Sequence, residues 1–112
     1  MPSIEHNWDV VFIDDEPDTA GVIIYIFQFH DIKMRFADNG ETGLSLLRER
    51  KPTFLLLDIQ MLKMSGYDVL KIIREDPALR DLPVIAVTAH AMKNDRDRAL
   101  AAGFDGYITR FC

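Results

Sequence analysis

Asp14 and Asp15 follow the apolar run Asp9–Ile13, Asp58 follows Phe54–Leu57, Thr88 follows Pro83–Val87, and Arg110 follows Gly106–Thr109. Each run reads as a β-strand. In open parallel α/β sheets the functional crevice lies at the carboxyl ends of the strands, so these side chains should converge on one edge. Carboxylates gathered there repel one another unless a cation sits among them. Hard oxygen donors of this kind suit Mg²⁺, which takes one or two carboxylates and keeps several waters. Such an ion would neutralise an incoming phosphoryl group and orient its in-line transfer onto Asp58, giving an acyl phosphate. The Thr88 hydroxyl would donate to one phosphoryl oxygen, and the Arg110 guanidinium would pair with another.

The elements that must place these groups alternate between strand and helix, which predicts an α/β fold with a parallel sheet. Pro17 suits a first helical turn, and the helix runs to Phe29. Lys33–Ala37 is the second strand, and Asp38-Asn39-Gly40 turns into the helix Glu41–Arg50. Phe54–Leu57 is wholly apolar, as a strand buried on both faces must be. Ser65 and Gly66 cap the helix Tyr67–Glu75, whose Val69, Leu70, Ile72 and Ile73 form an apolar stripe. A last helix within Met92–Ala102 stops at Gly103, a residue suited to a left-handed cap.

A chain of 112 residues suits one domain, and 48% hydrophobic against 28% charged residues is the balance of a globular protein with a core. The net charge of -5 argues against a nucleic-acid surface, which needs clustered Lys and Arg. Cys112 is the only cysteine, so no internal disulfide forms and a reducing compartment, the cytoplasm, is expected. Met1–Trp8 is polar, and the most apolar run, Val22–Phe27, is far too short to span a bilayer, so no membrane partner is expected.

Val11-Phe12-Ile13-Asp14-Asp15-Glu16-Pro17, Leu56-Leu57-Asp58-Ile59-Gln60-Met61 and Val84-Ile85-Ala86-Val87-Thr88-Ala89 stand in this order along the chain. Together they resemble the receiver domains of two-component response regulators. The resemblance implies a flavodoxin-like parallel sheet of five strands in the order 2-1-3-4-5, with helices on both faces. It implies that Asp58 is the phosphoacceptor, served by a histidine kinase or a phosphotransfer protein. Asp15 and Asp58 would ligate Mg²⁺ directly, Asp14 through water, and Gln60 through its carbonyl. Thr88 and Tyr107 would be a switch pair, the hydroxyl turning toward the phosphoryl group and the ring moving inward behind it. Ala89 would leave room beside the phosphate.

The chain departs from the family pattern at several points. Arg110-Phe111 stands where Lys-Pro is usual, Leu62 where proline is usual, and Ser65 where aspartate is usual. A fifth helix would need about ten or more residues, and only Phe111 and Cys112 follow Arg110, so a receiver over residues 1–112, truncated after the fifth strand, is expected. The first helix carries Val22, Ile23, Ile26 and Phe27 on one face and Ile24, Tyr25 and Phe29 on a second. A helix apolar all round should be buried all round, and a missing fifth helix would uncover it; a weak homodimer through the first helix is the expected solution.

Each site residue also has a plainer reading. Asp14 and Asp15 suit a helix N-terminus, Thr88 a turn, and Tyr107 an edge strand. The first rival to a phosphoacceptor is a degraded receiver working as a dimerisation or interaction module. The second is an aspartate-nucleophile phosphatase. Enzymes of that class resemble one another in needing an aspartate two residues after the nucleophile as general acid, and Gln60 in that place cannot transfer the proton. The chain therefore reads as a switch and not as an enzyme.

Overall fold

The computed structural model describes residues 8–88 and 94–109. In them the strands β1 (Asp9–Ile13), β2 (Lys33–Ala37), β3 (Phe54–Asp58), β4 (Val84–Thr88) and β5 (Gly106–Thr109) alternate with the helices α1 (Pro17–Phe29), α2 (Gly40–Glu49), α3 (Gly66–Glu75) and α4 (Asp95–Ala102). All strands pair in parallel in the order β2-β1-β3-β4-β5, the expected order. No helix among the described residues is long and apolar enough to cross a membrane.

The central strands are apolar throughout because each of their faces meets a helix. Successive side chains point to opposite faces of a strand. Val11, Ile13, Leu55, Leu57, Val84 and Ala86 accordingly join Leu47 of α2, Ile73 of α3 and Ala99 of α4 in one buried cluster. Val10, Phe12, Leu56 and Val87 form the other, against Ile23, Ile24 and Phe27 of α1. The sheet thus has helices on both faces.

The register sets the strand ends flush. Ile13 pairs with both Ala37 and Leu57, Asp58 pairs with Val87, and Thr88 pairs with Thr109. The chain leaving β1 after Ile13 therefore emerges beside Asp58 and Thr88.

Helix boundaries follow their caps. The Asn39 side chain accepts from the Thr42 N–H at 2.8 Å, which starts α2 at Gly40, one residue before the expected Glu41. Ser65 and Asp68 form a reciprocal capping box, with Asp68 N–H to Ser65 Oγ at 3.2 Å and Ser65 N–H to Asp68 Oδ2 at 3.1 Å. Gly103 ends α4 at φ 115°, a left-handed conformation that costs glycine little. Gly43 lets α2 lie directly on β1, since a Cβ there would run into Ile13 Cδ1.

The faces of α1 differ from expectation. Ile23, Ile24 and Phe27 pack on the sheet, whereas Val22, Tyr25, Ile26 and Phe29 are 60%, 68%, 47% and 75% exposed. The exposed set is spaced i, i+3, i+4, i+7, so it forms one continuous stripe. Ile24 belongs to the packed face and Val22 and Ile26 to the open one. Periodicity could not decide this, because both stripes are apolar and only the seat of the helix on the sheet chooses between them.

At the opposite edge of the sheet from the aspartates, Asp9 Oδ2 accepts from Arg50 Nε at 2.7 Å and from an Arg35 guanidinium nitrogen at 3.3 Å. The Arg50 hydrogen bond lowers the Asp9 carboxyl below the usual carboxylate range, burial opposes it, and the Arg35 charge adds to it. A depressed folded pKa gives stability that is present above the unfolded value and lost as pH falls through the folded one. Asp9→Asn should therefore cost about 1 kcal/mol near neutral pH. Urea titrations of parent and variant should converge as pH falls below about 3.9. A gap independent of pH would assign the loss to shape and not to charge.

Candidate functional site

Asp14 sits immediately beyond β1 and continues its ladder, donating its N–H to the Ala37 carbonyl at 3.0 Å. Its Oδ1 accepts from the Glu16 N–H at 2.8 Å. Asp58 closes β3 in the same manner, its Oδ1 accepting from the Gln60 N–H at 3.0 Å. Asp15 is held from across the crevice by the Leu62 N–H, 3.0 Å from Oδ2. Each carboxylate thus has one oxygen tied to a backbone donor, which fixes the plane of the group.

The three carboxylates offer oxygens that all lie within 4.8 Å of one another. Asp14 and Asp58 are 0% and 2% exposed, while Asp15 is half-buried. At that separation and an effective dielectric of about 20, each ionised pair repels by at least about 3 kcal/mol. The donor set is all carboxylate, hard and anionic, the kind that a small divalent cation takes. It fits a divalent cation.

Thr88, 2% exposed, ends β4 one residue beyond the partner of Asp58, so its side chain is buried at the same edge. Tyr107 is paired with Ala86, deeper in the sheet, and its ring packs on the larger core cluster. Its hydroxyl is buried and has no hydrogen-bond partner among the described residues. Burial pushes the phenol pKa up, and the charge of Asp95 adds to the rise. Gln60 lies in the loop after Asp58 with its side chain exposed and its N–H turned to the nucleophile candidate. Ala89 and Arg110, with His90 and Phe111, lie outside the described residues.

Two contributors escaped the motifs. Gly66 begins α3 directly behind Asp58, and a Cβ there would stand 2.5 Å from the Asp58 carbonyl oxygen and 2.7 Å from Ile59 Cα. Its signal in the sequence was a glycine at a helix start, which reads equally as a turn. The second is the Leu62 N–H, a backbone group with no side-chain signature. Leu62, Met64, Gly40, Thr42 and Asp15 line one open cavity of about 480 Å³.

The family model for the response regulator receiver domain matches residues 10–111. The chain belongs to this family. An uncharacterized 14.6 kDa protein of Leptolyngbya boryana is 35% identical to the receiver over 102 residues, covering 91% of this chain and 78% of that one. The polar-differentiation response regulator DivK of Brucella anthropi is 46% identical over 72 residues, covering 64% of the receiver and 58% of DivK. The match therefore spans less than two thirds of the length of that relative. The N-terminal domain of a response regulator receiver protein from Methanoculleus marisnigri superposes with a TM-score of 0.84 at 28% identity, covering 94% of this chain and 85% of that one.

Proposed function

We propose that the receiver accepts a phosphoryl group on Asp58 in a Mg²⁺-dependent reaction, supplied by a histidine kinase or phosphotransfer protein, and changes conformation in response. The observation that carries this reading is the convergence of Asp14, Asp15 and Asp58 within 4.8 Å at flush strand ends. Mg²⁺ bound by these carboxylates would supply positive charge to neutralise the phosphoryl oxygens during in-line transfer. In this reading Asp15 and Asp58 would hold it directly, with the Gln60 carbonyl, and Asp14 would act through water. An Asp58 oxygen attacks phosphorus. The bond from phosphorus to the donor atom breaks, its electron pair leaves with the donor, and an acyl phosphate remains. The Thr88 hydroxyl donates to one phosphoryl oxygen and Arg110 pairs with another, while Ala89 leaves the group room. Tyr107 would be the second switch residue.

The receiver is on this reading a cytoplasmic switch with no turnover of outside substrates. Its net charge of -5 gives no electrostatic drive toward nucleic acid. Intact-mass measurement after incubation with acetyl phosphate tests the proposal. A phosphoryl increment that needs Mg²⁺ is expected, and an equal increment in EDTA would overturn it.

The open stripe of α1 favours a second role, self-association. Val22, Tyr25, Ile26 and Phe29 expose on the order of a few hundred Å² of apolar surface, enough to be a liability in water. A stable symmetric dimer buries about 800 Å² per partner, so this stripe alone supports weak pairing. Sedimentation should show mass rising with concentration. Tyr25→Glu combined with Phe29→Glu should give a soluble monomer, because both side chains point away from the sheet. A parent chain that stays monomeric at high micromolar concentration would remove the case.

A further inference from the structure

Of the three clustered carboxylates, Asp15 is the one that burial does not immobilise: Asp14 and Asp58 are enclosed, and Asp15 reaches solvent. Its only hydrogen bond among the described residues comes from the Leu62 N–H, 3.0 Å from Oδ2 and 47 residues away in the chain. The Leu62 side chain is 97% exposed, so its packing does not hold the residue in place. The loop and the carboxylate are joined through the amide. A proline at this position has no N–H and could not make the bond.

We infer that the Leu62 amide is a positioning group for Asp15, holding Oδ2 so that the other oxygen is presented to the metal. A donor on the far oxygen of a ligating carboxylate orients the ligand and removes freedom that binding would otherwise have to restrict. The coupling is reciprocal: a cation that fixes Asp15 also fixes Leu62, and with it the loop between β3 and α3. Metal occupancy is thereby transmitted to an exposed apolar side chain beside the acceptor site. The inference rests on the metal reading above.

Leu62→Pro removes the N–H, and Leu62→Ala keeps it while removing the exposed side chain. Mg²⁺ titration of the folded chain by calorimetry should show Leu62→Ala binding as the parent does and Leu62→Pro binding roughly tenfold more weakly. Hydrogen exchange of the Leu62 amide, followed by NMR in the parent and in Asp15→Ala, covers the case in which the proline variant does not fold. Protection that is present in the parent, rises with Mg²⁺ and is lost in Asp15→Ala is expected. Equal Mg²⁺ affinity of the proline and alanine variants, or a Leu62 amide that exchanges alike with and without the Asp15 carboxylate, overturns the inference alone. A parent chain with no saturable Mg²⁺ binding overturns the metal reading instead.

Discussion

Asp58→Asn should take up no phosphoryl group from acetyl phosphate under conditions that load the parent chain. The substitution keeps the shape of a side chain that is only 2% exposed, so the fold should survive and the loss should be chemical. An amide oxygen cannot form the acyl phosphate, and at the proposed metal site it would replace an anionic ligand with a neutral one. On the proposed reading, Asp14→Asn and Asp15→Asn keep the nucleophile and lose only charge at the proposed metal site. Their uptake should fall at low Mg²⁺ and recover in part when Mg²⁺ is raised, whereas that of Asp58→Asn should not recover. Mg²⁺ should also raise the thermal midpoint of the parent more than that of any of these variants, since a ligand stabilises only in proportion to its affinity for the folded state. Intact mass and thermal melts check both statements. A phosphoryl increment in Asp58→Asn would move the acceptor to another residue.

Gly66→Ala should be strongly destabilising. A Cβ at Gly66 would press on the backbone of Asp58 and Ile59, at 2.5 Å and 2.7 Å, and backbone in a paired strand end cannot rotate away as a flexible side chain can. Two further bonds hold the region: Ile59 N–H donates to the Val87 carbonyl at 3.1 Å, and Gly66 N–H donates to the Ile59 carbonyl at 2.9 Å. Either α3 retreats or Asp58 moves. The expected loss is about 3 kcal/mol, at the upper end for overpacking. Gly21 in α1 is the internal control, because a Cβ there meets nothing within 4 Å. Gly21→Ala should stabilise by up to about 1 kcal/mol through helix propensity and unfolded-state entropy. The same chemical change thus carries opposite signs at the two sites. Denaturant midpoints decide it, and phosphoryl uptake should slow in Gly66→Ala alone. An unchanged midpoint for Gly66→Ala would show that the loop after β3 yields at little cost.

The sequence by itself determined the alternation of strands and helices and the residues at the strand ends. Short, wholly apolar runs such as Phe54–Leu57 can be buried only between two layers, and the first charged or hydroxylated residue after each must mark the exit from the core. Gly103 and Ser65 announced a helix stop and a helix start through chemistry local to themselves. Strand order did not emerge from composition or spacing; it came with the family resemblance, and the pairing bears it out. Only the tertiary structure decided the rest. Register brought Asp14, Asp15 and Asp58 within 4.8 Å, a distance that residues 43 and 44 positions apart cannot declare in their types. The seat of α1 on the sheet put Ile24 inside and Ile26 outside, although both are isoleucine, because packing distinguishes faces that hydrophobicity does not. The Leu62 amide reached Asp15 through a backbone group that every residue except proline carries, so its partner is chosen by where the chain passes and not by which side chain it bears.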